Sequence, residues 1–100
     1  MTLEEKAKLL SNLLWDTNQN VNEIWPVYEG TVEKIGYIDK TFLFKRTLES
    51  YSWFTVLELF PIHEVKIRLT KELILKLRSQ SLQKKYLFLH DLLQRIDIKN

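Results

Sequence analysis

The chain has 100 residues, 45% of them apolar and 28% charged, with a net charge of +2 and an isoelectric point of about 8.9. That is enough for one modest core and too ordinary for wholesale disorder, and its longest uncharged run, Ser50 to Leu57, falls far short of the roughly 20 residues a bilayer span needs. Cysteine is absent, which excludes disulfides, thiolate zinc sites and a cysteine nucleophile, while two His and two Gly leave little for other metal sites or phosphate loops.

Eighteen Leu stand against one Ala, and no Asn-Gly, Asp-Gly or Gly-Gly pair invites a tight hairpin. Helix starts, in contrast, recur along the chain. Thr2 and Glu5 fit a capping box, followed by Leu3, Ala7, Leu10 and Leu14 on one stripe that Leu13 widens. This amphipathic helix should fade into the polar run Asp16 to Asn20. Asn20 or Asn22 is placed to cap a second helix reaching Glu29, with Gly30 as its left-handed stop. Pro26 lacks a donor and disfavours helical geometry at Trp25, so only a turn or two is expected there. Residues 31–38 read as a connector.

Asp39 reads as the cap of a helix from Lys40 to about Ser50, with Phe44, Leu48 and Tyr51 aligned. Ser52 would cap Trp53 to Phe60, where Trp53, Val56, Leu57 and Phe60 share a face. Pro61 ends that helix and suits the first turn of the next, which carries Ile62, Val65 and Leu69. Thr70 restarts the chain ahead of Leu73, Ile74 and Leu77. Ser81 restarts it again ahead of Leu82, Tyr86, Leu89, Leu93 and Ile96. Phe, Tyr, Trp, Thr and Val are also strand formers, so Thr41–Phe44 and Trp53–Val56 could instead be strands. The expected fold is therefore an all-α, single-domain array of short helices over residues 1–100. Its alternative is an α+β fold with a small antiparallel sheet within residues 31–60.

Charge is unevenly distributed. Residues 1–60 hold six Lys or Arg against nine Asp or Glu, whereas residues 61–100 hold nine against four. Lys71, Lys76, Arg78, Lys84 and Lys85 form the candidate nucleic-acid-binding set, because a basic surface concentrates near an anionic partner. The same residues also fit the solvated faces of amphipathic helices. A helix-turn-helix is conceivable, with Thr70–Ser79 leading into Ser81–Arg95 and Gln83, Lys84 and Gln94 reaching toward a groove. Its usual Gly-containing turn is missing.

No catalytic constellation emerges. His63-Glu64 opens like a zinc-protease helix, but Ile67 stands where the second His belongs. No G-x-S-x-G elbow is present, and Gly30 and Gly36 are too far apart for a phosphate-cradling loop. Lys85 and His90 are spaced like the Arg-x4-His element of a helical ribonuclease family paired with nucleotidyltransferases. Lys, however, cannot make the bidentate phosphate contact of Arg. The chain is accordingly read as non-enzymatic and without a cofactor. Trp15, Trp25, Trp53, Tyr28 and Tyr51 are candidate interface anchors or core fillers, with Trp25 and Tyr28 taken as the candidate protein interface. Arg46 and Glu49 read as an exposed pair three positions apart on one helix, and Asp16 as capping or hydrogen-bonding locally.

Leu14-Trp15-Asp16, the run from Arg46 to Trp53, and the stretch from Ile74 to Leu93 with Leu77-Arg78, Ser81-Leu82 and Lys85-Tyr86-x-Phe88 carry a resemblance. Together they resemble a set of small bacterial helical proteins of unknown function, often encoded beside nucleotidyltransferases of the abortive-infection toxin type. The resemblance implies a helical fold and a toxin-associated, antitoxin-like role, and it transfers no functional residue. With Glu4, Glu5, Lys6 and Lys8 interrupting any apolar leader, the chain is expected in the cytoplasm. Its expected partner is a protein, with a nucleotidyltransferase as the candidate the resemblance implies, nucleic acid as the alternative, a homodimer compatible with the Leu stripes, and no membrane.

Overall fold

Side chains that accept backbone N–H groups start most of the helices, and the computed structural model of the chain, which describes residues 1–95, is mostly helical. Among the described residues are seven α-helices and one two-stranded antiparallel hairpin, divided between two units that meet in sequence at Ser50 and Tyr51.

In the first unit, α1 (Leu3–Asn12) opens on the expected capping box: Thr2 Oγ1 accepts from the Glu5 N–H, and the Glu5 carboxylate accepts from the Thr2 N–H. Leu10, Leu13 and Leu14 are buried, whereas Leu3, at the head of the same stripe, is exposed. α2 (Val21–Glu29) is capped by Asn20, not Asn22, and stops at Gly30 with φ +92°. It runs through Pro26 for nine residues, longer than the turn or two expected. The missing proline donor is outweighed by caps at both ends and by burial of Ile24, Val27 and Tyr28 along one face.

The expected connector is instead a hairpin, β1 (Lys34–Ile35) and β2 (Ile38–Asp39), with Ile35 opposite Ile38. Its two-residue loop has Gly36 at φ +61° and no positive φ at Tyr37, the pattern of a type II′ turn with Gly in first place. A Cβ added at Gly36 would meet nothing within 4 Å. Gly36→Ala should therefore cost only the backbone strain, about 1 kcal/mol, seen as a small, uniform drop in the urea midpoint. Asp39 then caps α3 (Lys40–Ser50), its Oδ1 accepting from the Phe42 N–H at 2.8 Å. α3 buries Leu43, Phe44, Thr47 and Leu48, and Thr47 satisfies its hydroxyl by donating to the Leu43 carbonyl at 2.7 Å.

In the second unit, α4 (Trp53–Leu59) and α6 (Lys71–Leu75) are capped by Ser52 and Thr70 as expected. α5 (Ile62–Arg68) follows Pro61, which takes the cap position itself. These segments bury Val56, Leu59, Phe60, Val65, Leu69, Leu73, Ile74 and Leu77. Helix thus prevails over strand across residues 41–60 except for short breaks, the first of which supplies Ser52 as a cap. α7 (Gln80–Arg95) begins ahead of the expected restart at Ser81, with Ser79 as its cap: the Ser79 hydroxyl accepts from the Leu82 N–H at 3.2 Å. Tyr86 and Leu93 are buried and Leu82 and Leu89 half-buried, while Ile96 lies outside the described residues.

Candidate interaction surfaces

The turn after α1 is an exposed feature of the first unit held by several side-chain bonds. Leu14 is buried, Trp15 is 82% exposed, and Asp16 is gripped from α3. Arg46 donates to both Asp16 oxygens, at 2.6 and 2.9 Å, and also to the Leu13 carbonyl at 3.1 Å. These bonds hold the Asp16 carboxyl below its ordinary pKa and the Arg46 guanidinium above its own. Arg46 lies 4.7 Å from the Phe42 ring centroid, and Phe42 packs edge-on against Tyr37 at 5.4 Å. Thr17 adds a bond from its hydroxyl to the Leu14 carbonyl.

Asp16, expected to cap or hydrogen-bond locally, is also the bidentate partner of a residue 30 positions away. Arg46 directs its hydrogen bonds to Asp16 and Leu13, with the nearby Glu49 charge adding attraction while Glu49 pairs with Lys45 at 3.2 Å. Short helices place i and i+3 residues near one another, but the bidentate fork of Arg finds a better match in a carboxylate facing it squarely.

The aromatic candidates sort by exposure. Trp25 is half-buried and lies along a shallow groove with Leu3 and Ala7, its ring 5.2 Å from that of Tyr28. Tyr28 is buried, with Lys40 5.8 Å from its ring centroid, so little of it faces outward. Trp53 and Tyr51 are half-buried, Trp53 beside Tyr86 at 6.2 Å. Trp15 alone among these five stands well out of the surface. A small cleft of about 160 Å³ lies between residues 16–19 and the hairpin loop. The Gln19 Oε1 atom beside it is sealed from solvent and has no hydrogen-bond partner among the described residues.

In the second unit, Lys71, Lys76, Arg78, Lys84 and Lys85 are all exposed. They sit at the start of α6, in the Lys76–Ser79 turn and on the first turns of α7. Two parts of the helix-turn-helix expectation change. Its first helix is only five residues long, and Gln83 is committed to the turn, its amide donating to the Leu77 carbonyl at 2.9 Å and the Leu75 carbonyl at 3.4 Å. Lys85 lies 5.1 Å from the Tyr86 ring centroid. His90 is half-buried, with Nδ1 3.3 Å from Asp91 Oδ1. Five residues of helix place Lys85 and His90 about 140° apart around the axis.

Sequence reasoning missed Phe88, which is 68% exposed on α7. The signal was present: Phe88 is two residues from buried Tyr86, which turns it about 200° away, to the opposite face. No group of three or more His, Cys, Asp or Glu side chains placed to hold a metal occurs among the described residues. Nor is any helix there long and apolar enough to cross a membrane. Comparison with protein-family models, with curated proteins and with solved structures returns no match for this chain.

Proposed function

We propose that this chain works by binding another protein, as a non-catalytic interaction module, with Trp15 as its anchor. The observation that carries the reading is an indole 82% exposed on a turn whose two neighbours are fixed, Leu14 by burial and Asp16 by Arg46. A large amphipathic ring held out at little entropic cost is what hot spots at protein interfaces are made of. Trp25, half-buried beside an apolar groove, is a secondary contact, and Tyr28 supports it from beneath. The resemblance makes an abortive-infection-type nucleotidyltransferase the first partner to test, in an antitoxin-like arrangement.

Trp15→Ala is expected to weaken partner binding about tenfold, about 1.4 kcal/mol, while leaving Tm unchanged because the indole is already in solvent. Calorimetric titration of the purified partner into each form reads this directly. Equal affinity of the two forms would remove Trp15 from the interface, and no complex with the nucleotidyltransferase would remove that partner.

A second reading is favoured by a separate observation: all five basic candidates of the second unit are exposed on consecutive elements. That surface suits a polyanion, and nucleic acid is the polyanion it would meet most often.

A further inference from the structure

The exposed face of α7 combines charge with an aromatic ring. Lys84, Lys85, Phe88, Leu92 and Arg95 are all exposed, and their spacing of 0, 1, 4, 8 and 11 positions keeps them within about 100° of arc. Three cations thus surround Phe88, which is 68% exposed, with Leu92 at 42% beside it. Asp91 is the acid at the edge of this face, turned to the His90 imidazole. Lys76 and Arg78 extend the positive charge past the N-terminal end of the helix.

We propose that this face binds single-stranded nucleic acid, with a base stacked on Phe88 and the backbone phosphates met by Lys84, Lys85 and Arg95. The inference rests on the nucleic-acid reading above and specifies it. Charge complementarity argues for a polyanion. The exposed ring argues for a strand whose bases are unstacked, because every base has a π-face and an aromatic platform rewards stacking without regard to sequence. A duplex keeps its bases stacked inside and would leave Phe88 without a partner. Of the side chains expected to read a duplex groove from α7, Gln83 is already tied to the Leu75 and Leu77 carbonyls. An acidic protein face could meet the same cations. Two apolar side chains are, however, a small patch against the roughly 800 Å² per partner that a stable protein interface buries.

The test is fluorescence anisotropy with a labelled oligothymidylate and a labelled duplex of equal length, over a series of salt concentrations, on the full chain. The single strand is expected to bind more tightly than the duplex. Phe88→Ala should weaken single-strand binding roughly tenfold, within the range for loss of one stacked base, without changing the salt slope. Lys84→Gln and Lys85→Gln should each flatten the slope of log K against log salt by about 0.7. Phe88→Trp should bind at least as well as the parent. All these side chains are exposed, so circular dichroism should be the same for every form.

Duplex binding as tight as single-strand binding, or a Phe88→Ala variant that binds like the parent, would overturn the stacking proposal while leaving a general nucleic-acid role standing. Displacement of the oligonucleotide by polyglutamate as readily as by unlabelled oligothymidylate would overturn it in favour of an acidic protein partner. No binding of either nucleic acid at low salt would overturn both the proposal and the reading it rests on.

Discussion

Arg46→Ala is expected to destabilise the first unit by about 2 kcal/mol, which for a chain of this length lowers Tm on the order of 10 °C. The larger share comes from the Leu13 carbonyl, which loses a charged donor at 3.1 Å, and from the guanidinium packed 4.7 Å from the Phe42 centroid. The ion pair itself is worth less, because Asp16 is well exposed and solvent screens it. Arg46→Lys should recover little, since a single ammonium cannot serve both Asp16 oxygens and the Leu13 carbonyl together. The acid limb has a definite sign. Arg46 lowers the Asp16 pKa in the folded state, so the pair's contribution is complete above the unfolded value and is lost as pH falls through the folded one. The gap between the parent and Arg46→Ala should therefore narrow in strong acid by the ion pair's share, while the share owed to the Leu13 carbonyl and the Phe42 ring remains. Thermal melts followed by circular dichroism at neutral and acid pH read both effects. A neutral-pH Tm equal to the parent's would show that the turn carrying Trp15 holds its shape without this staple.

That staple also shows where sequence reading stops. Thr2, Asn20, Ser52 and Thr70 each bond an N–H three residues ahead, so their helices were legible from a few neighbouring letters. Asp16 and Arg46 are 30 positions apart, and nothing local marks one as the partner of the other. Each had a nearby role, Asp16 as a local cap or hydrogen-bond acceptor and Arg46 as a neighbour of Glu49, and the fold adds to these a bidentate pair that spans 30 positions. The hairpin was missed for a different reason. Its strands are two residues long, too short to alternate, and its loop is Gly-Tyr, which opens a type II′ turn without the Asn-Gly or Asp-Gly of the commoner signal. The restart was expected at Ser81, two positions after the serine that caps α7. Ser79 takes the role where Gln83 closes the preceding turn through the Leu75 and Leu77 carbonyls, a contact that spans the break between two helices. Exposure was only half legible. The helical wheel turns Phe88 away from Tyr86, whereas Trp15 lies beyond the end of α1, where no periodicity applies.

Raising the pH from about 10 to about 12 is expected to cost the chain about 2 kcal/mol through Tyr86 alone. The Tyr86 ring is fully buried beside Trp53, and its hydroxyl has no hydrogen-bond partner among the described residues. Burial disfavours the phenolate and pushes the pKa from the ordinary 10.0 up to about 12. The unfolded chain therefore releases this proton first. Stability is complete below the unfolded value, declines as pH rises between the two values and levels off above the folded one. Lysines and the other tyrosines titrate in the same range, so the informative quantity is the difference between the parent and Tyr86→Phe. Phe keeps the ring contact with Trp53 and removes both the ionisation and the orphaned hydroxyl. At neutral pH the variant should equal the parent or exceed it by about 1 kcal/mol, because an unsatisfied buried hydroxyl carries its desolvation penalty into the fold. At alkaline pH its advantage should widen by the full titration effect. Urea midpoints of the two proteins, compared at neutral and strongly alkaline pH, measure that widening. A variant markedly less stable than the parent at neutral pH would mean that the hydroxyl is hydrogen-bonded after all, and a difference that stays constant with pH would mean that it ionises at the value of a solvated tyrosine.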